Sequence, residues 1–188
     1  MKKLLLTGFE AFAEHSTNPT ENLVNKFSNT VVNNFKIKAY ILPVEYKSAS
    51  SIISNLIETE KPDAIISLGL AADRAEITPE LIAINYCHSK VPDNAGDIKL
   101  FTKINPKSKE SFISTLPIKK IIEALNEKSI AAKLSSTAGT YVCNTVMYTA
   151  LQKSSKMSLD IPCGFIHIPG DIEEHQLINA LTTCINSL

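Results

Sequence analysis

Short apolar runs of strand length recur through this chain with helix-spaced segments between them, and that alternation leaves few folds open. Residues 2–6, 35–42, 62–68 and 162–168 are the clearest runs, the second ended by Pro43 and the third closed by Gly69. Between them, residues 48–60 carry Ile52, Ile53, Leu56 and Ile57 at helical spacing, and residues 117–127 carry Ile118, Ile121, Ile122 and Leu125. Asn18-Pro19 reads as a cap with proline at the first helical position, opening a helix to about Phe27. Residues 81–86 read as a further strand, 130–134 as a short one, 142–153 and 171–187 as helices, and 91–115 as loop-rich. Strands alternating with helices predict an α/β layered domain around a largely parallel sheet. Sites in such folds gather at the C-terminal ends of strands. Gly8-Phe9, Gly69-Leu70 and His167 all stand at such ends and are expected to converge on one edge of the sheet.

At 188 residues, 1–188 reads as one domain large enough to bury a core. Nineteen basic and nineteen acidic side chains cancel, which gives no field for nucleic acid or an anionic membrane. The apolar run after Met1-Lys2-Lys3 ends at Thr7-Gly8, short of the roughly 7–15 residues of a signal-peptide core, and no segment approaches the roughly 18 of a membrane helix. Cys87, Cys143, Cys163 and Cys184 are scattered, without a C-x-x-C spacing, a pattern that suits a reducing cytoplasm. Neither Cys87-His88 nor Cys163-x3-His167 matches a common zinc spacing, so no metal is expected.

Two segments propose chemistry. In Ser135-Ser136-Thr137-Ala138-Gly139-Thr140-Tyr141-Val142-Cys143-Asn144 a cysteine follows a glycine-bearing turn at a helix start. The positive end of the helix dipole favours thiolate there, and the first-turn N–H groups could hold a developing oxyanion. In Gly164-Phe165-Ile166-His167-Ile168-Pro169 a histidine stands at the mouth of an apolar strand, placed to exchange a proton with Cys143 and protonate a leaving amine. His15, His88 and His175 read as surface or structural residues. Glu80 heads an apolar strand and could orient the imidazole; on the residues alone Glu10, Glu21, Glu76, Asp73 and Asp93 are its rivals. Phe9 and Phe12 are either core aromatics or a flat slot for a small ring, with Asn18 as a cap or also a donor to a carbonyl.

Taken in order, these segments resemble the pyroglutamyl peptidase type-I family of cysteine peptidases over nearly the whole chain. The resemblance is carried by Gly8-Phe9-Glu10-x-Phe12, Asn18-Pro19, Gly69-Leu70, Ile77-Thr78-x-Glu80-x-x-Ala83-x-Asn85, Pro92-Asp93-Asn94-x-Gly96 and the two segments above. It implies a three-layer α/β/α sandwich around a mixed sheet, and a cytoplasmic enzyme that removes N-terminal 5-oxoproline from peptides without metal or organic cofactor. By resemblance the catalytic triad falls on Cys143, His167 and Glu80. The ring pocket falls on Phe9, Phe12, Val44, Tyr141 and Val142, with Asn18 and the backbone near Leu70 holding the lactam. A homotetramer is implied in the same way. Three departures stand out: Ala13-Glu14-His15 replaces a glycine-rich loop, Ala71-Ala72-Asp73 is poor in glycine, and Lys90 stands where many bacterial members carry arginine. Lys90 keeps the charge but not the planar fork, and is expected to support the oxyanion or Glu80. A non-catalytic binder of capped N-termini on the same fold is the alternative from another class. A nucleoside-phosphorylase-like enzyme is a third reading, for which no glycine-rich phosphate cradle is visible.

Overall fold

In the computed structural model, which describes residues 1–12 and 17–188, each of the four runs becomes a strand, largely buried except in 35–42, where several side chains are only half-buried. The Ala13-Glu14-His15 segment lies outside the described residues. In chain order the elements are β1 (Lys2–Phe9), α1 (Pro19–Phe27), β2 (Val31–Val32), β3 (Phe35–Leu42), α2 (Tyr46–Glu60), β4 (Ala64–Ala71), β5 (Thr78–Ile84), β6 (Cys87–Ser89), β7 (Lys99–Thr102) and β8 (Ser111–Ile113). There follow α3 (Ile118–Glu127), β9 (Ser135–Thr137), α4 (Val142–Lys156), β10 (Cys163–Pro169) and α5 (Glu174–Asn186).

One eight-stranded sheet takes the order β2-β3-β1-β4-β10-β5-β8, with β9 also paired to β5, while β6 and β7 form a separate hairpin. The central pairs β3-β1, β1-β4 and β4-β10 are parallel. β5 runs antiparallel to β10, so the sheet is mixed, as expected. Period-two alternation sorts the strand side chains between two cores. Leu4, Leu6, Ile66, Ile166 and Ile168 pack with α1, α3 and α5 on one face. Leu5, Ile65 and Phe165 pack with α2 and α4 on the other. Each fully buried Leu or Ile in these layers contributes about 1.5–3 kcal/mol, so two apolar faces per strand hold helices on both sides and make the sandwich.

Several local readings change. Thr7 to Phe9 belong to β1 rather than to a loop, and β5 starts at Thr78, three residues before the expected point. Residues 130–134 form no strand, contributing only the isolated Ile77–Ala132 bridge; the strand is Ser135–Thr137. The loop-rich stretch hides β7 and β8, both too short to show a period.

The connections set the position of the site. From β1 the chain steps to β3 on one side, then crosses back to β4 on the other. Strand order therefore reverses between β1 and β4, the place where α/β sheets open a crevice. β1 pairs with β4 only from Ala64 to Ser67, while β4 continues to Ala71. Beyond Ser67 the two strand ends part, with Phe9 on one lip and Leu70 on the other.

Candidate active site

Register brings the imidazole and the carboxylate together. His167 pairs with Gly69 of β4 on one side and Thr78 of β5 on the other. Thr78 and Glu80 leave β5 on the same face, so Glu80 lies diagonally beside His167. Glu80 is fully buried, and its Oε1 lies 2.7 Å from His167 Nδ1. That contact occupies Nδ1 and leaves Nε2 for proton exchange with a third group. Oε1 also accepts from Arg74 Nη1 at 2.6 Å, and the same guanidinium nitrogen donates to Thr78 Oγ1. Burial pushes the Glu80 carboxyl up, but the hydrogen bond from His167, with Ser135 and Arg74 adding to it, pulls it below its ordinary value. Glu80 is a carboxylate.

Cys143 arrives from the opposite layer. The turn before α4 passes through Gly139 at φ +79°, a left-handed conformation that favours glycine. Tyr141 takes the N-cap position without a side-chain cap bond, so its side chain does not occupy the first-turn N–H groups that open α4. The thiol settles over Gly69: a Cβ there would stand 2.8 Å from the Phe165 ring and 3.0 Å from Cys143 Sγ. The glycine that closes the third apolar run is therefore the gap through which sulfur reaches the end of the sheet.

The lowering expected from the helix start is outweighed at Cys143. Burial first, then the charge of Glu80, pushes the Cys143 thiol up to about 12, against the lowering effects of its own backbone N–H and of Arg74. A helix terminus is worth roughly 0.3–1 kcal/mol, whereas burying a charge shifts a pKa by up to several units. Desolvation is the larger effect and disfavours the thiolate in the resting site.

Between these groups and the β1 exit lies a cavity of about 200 Å³. Phe9, Phe12, Asn18, Val44, Leu70, Tyr141 and Val142 line it together with Cys143 and His167; Ala138, not singled out in the sequence, completes the wall. Asn18 caps α1 by accepting from Thr20 N at 3.0 Å, and its amide donates to the Glu10 carbonyl at 3.0 Å. Tyr141 Oη donates to the Pro92 carbonyl at 2.8 Å, and its ring meets Tyr46 edge-on at 5.4 Å. Lys90 is exposed and is not part of the cavity wall. The cation bound to Glu80 is Arg74, which the sequence reading passed over although it is the chain's one arginine.

Three of the rival carboxylates, Asp93, Glu10 and Glu76, have other partners. Asp93, buried, accepts from the backbone N–H groups of Tyr46, Ala95 and Asp97. Glu10 accepts from Asn94 Nδ2 at 2.8 Å, and Glu76 pairs with Lys133. Asn144, next to the cysteine, accepts from Ile84 N and donates to the Ile84 and Tyr86 carbonyls. It ties the start of α4 to the end of β5, a long-range role that no local pattern announces.

Comparison with known proteins identifies the family. A family model described as pyroglutamyl peptidase matches residues 2–187. A pyrrolidone-carboxylate peptidase of Oceanobacillus iheyensis is 45% identical over 187 residues, covering 100% of this chain and 91% of that protein. One from Escherichia fergusonii is 37% identical over 169 residues, 90% of this chain and 78% of its own length. Among solved structures, the pyrrolidone carboxyl peptidase of Thermococcus litoralis superposes with a TM-score of 0.96 at 33% identity, covering 100% of this chain and 93% of that one.

Proposed function

The chain belongs to the pyroglutamyl peptidase family, and we propose that it removes N-terminal pyroglutamate from peptides by a Cys143–His167–Glu80 mechanism. The observation that carries this reading is the Glu80–His167 contact set in the wall of the cavity that Cys143 also lines. A pyroglutamyl end is a flat lactam without a free amine. The slot of Phe9, Phe12, Val44, Tyr141 and Val142 suits such a ring, and the Asn18 amide and the backbone near Leu70 offer polar contacts to its N–H and C=O.

Because the thiolate is disfavoured at rest, attack and proton transfer are coupled. Cys143 Sγ bonds to the carbonyl carbon that joins pyroglutamate to the next residue as its proton passes to His167 Nε2. The Glu80 carboxylate stabilises the imidazolium through Nδ1, and the uncapped N–H groups opening α4 face the oxyanion. Collapse breaks the C–N bond while His167 returns the proton to the departing amine, leaving a thioester. Water, deprotonated by His167, then cleaves the C–S bond and releases pyroglutamate with the thiol restored.

Residues 1–188 act as one catalytic domain in this reading, supported by a single sheet that draws on strands from both halves of the chain. None of the helices, among the described residues, is long and apolar enough to cross a membrane; we place the enzyme in the cytoplasm on its four free cysteines. Self-association is supported by Ile98, Leu100 and Phe101, which are exposed on and beside β7, and the homotetramer is taken from the family resemblance.

The test is release of a fluorescent amine from a pyroglutamyl amide, with Cys143→Ser as control and a prolyl amide as decoy. Turnover of the pyroglutamyl compound alone, lost in the variant, supports the reading. Tight binding without turnover by reduced, folded protein would replace it with a non-catalytic binder.

A further inference from the structure

Arg74 has no place in the three-residue mechanism, yet it is bound to it. It sits in the turn after β4, where its N–H donates to the Ala71 carbonyl at 3.0 Å. One guanidinium nitrogen bonds both Thr78 Oγ1 and Glu80 Oε1, the oxygen that faces His167. Glu80 Oε2 is buried without a hydrogen-bond partner, so Arg74 and His167 hold the carboxylate through a single oxygen. The Arg74 side chain is 28% exposed and that of Glu80 0%, so the guanidinium is the more solvated member of the pair and closes the buried carboxylate off from solvent.

We propose that Arg74 is a positioning residue for the reaction: anchored on Thr78, it fixes the Glu80 carboxylate on His167 Nδ1 and offsets its negative charge beside Cys143. The inference rests on the Cys143–His167–Glu80 reading. Two physical consequences follow. Without the guanidinium, Oε1 keeps only its His167 contact, with the Ser135 hydroxyl as the other polar neighbour of the carboxylate, and the imidazole is held less firmly. The uncompensated charge also works against ionising a neighbouring thiol, and Arg74 is among the groups that ease Cys143 ionisation while Glu80 opposes it. The groups facing Glu80 are His167 from β10, Arg74 from the turn, Ser135 from β9 and Cys143 from the start of α4, with Thr78 from β5 sharing the Arg74 nitrogen. Arg74 is the permanent cation among them.

The experiment compares kcat, KM and the pH profile of kcat/KM for wild type, Arg74→Lys, Arg74→Met and Glu80→Gln. Arg74→Met is expected to lower kcat about 10- to 100-fold, a share of the roughly 10²–10⁴ that general acid–base catalysis supplies. KM should stay within about threefold, since the arginine does not line the cavity. Both limbs of the profile should move to higher pH, because a positive charge has left a coupled pair. Arg74→Lys keeps the charge on a shorter stem that does not carry a nitrogen to the place from which Nη1 reaches both Thr78 and Glu80: its profile should stay in place while kcat falls about fivefold or more. A role in folding alone would lower active enzyme without moving the limbs. An unmoved profile in Arg74→Met, or wild-type kcat in Arg74→Lys, overturns the proposal, and the lysine variant decides if the methionine variant does not fold. Full activity in Glu80→Gln would instead remove the triad reading on which the proposal stands.

Discussion

The two walls of the cavity are built by different physics. One, from β4, β5, β10 and the start of α4, is a buried charge array: Arg74, Glu80 and His167 bonded through one oxygen, with Cys143 over a bare glycine. The other, from the exit of β1 and Val44, is apolar on its cavity side and tied from behind by the loop at 91–97 through neutral or single-charge hydrogen bonds. Asn94 reaches Glu10 and the Ala11 carbonyl, and its N–H reaches the Val44 carbonyl. Tyr141 bonds Pro92, and Asp93 gathers three backbone N–H groups. The first wall is placed for bond making and the second for holding a ring. Substitutions in the first should therefore act on kcat, and substitutions in the second on KM.

The strongest way to break that division is at the nucleophile and the orienting acid. Cys143→Ala should abolish turnover, and Glu80→Gln should lower kcat roughly 10²- to 10⁴-fold with KM nearly unchanged. Steady-state kinetics showing a KM effect as large as the kcat effect would merge the two walls into one.

Next in size is Gly69→Ala. Its new methyl group would meet the Phe165 ring and Cys143 Sγ at 2.8 and 3.0 Å. Displacing the sulfur by a fraction of an ångström to 1 Å predicts about a 10²-fold loss in kcat, together with a loss of about 1–3 kcal/mol in denaturant unfolding from overpacking.

On the slot wall, Phe12→Ala removes part of the ring face. KM should rise about 10-fold, the equivalent of some 1.4 kcal/mol of lost apolar contact, with kcat within about threefold. Asn94→Ala is a milder test, since its bonds lie at the surface: each is worth about 0.5–1.5 kcal/mol before solvent competition. A two- to fivefold increase in KM is expected, and a change confined to kcat would count against the slot assignment.

The smallest effect is on stability in acid. Glu80 is held below its ordinary 4.5 in the folded state, so the folded protein binds fewer protons there than the unfolded chain. The resulting stabilisation is fully present above about pH 4.5 and disappears as pH falls through the folded value. Urea unfolding followed from pH 6 downward should show this slope in wild type and a shallower one in Glu80→Gln.

Much of this was legible in the residues. The apolar runs at 2–6, 62–68 and 162–168 announced the central strands β1, β4 and β10, because burial on both faces demands continuous apolar sequence, while 35–42 with its two lysines announced a half-buried neighbour. The glycine turn before Cys143 and the cap at Asn18 are local, so their structure follows from their own side chains. Less visible were β7, β8 and β9, whose three or four residues cannot display a period. Lys90 drew attention as a cation near the motif, but its side chain points to solvent while Arg74, six residues before Glu80, does the pairing.

What the sequence determined by itself is the inventory: the layered class, the family, and the cysteine, histidine and carboxylate that carry the chemistry. Tertiary structure alone decided how they meet. An antiparallel β5 beside β10 sets Glu80 against His167 across 87 positions of chain, and the parting of β1 from β4 opens the ring slot. The charge state of Cys143 was decided there too. A helix dipole can be read from local sequence, but desolvation depends on everything packed around the sulfur, and here it is the larger effect.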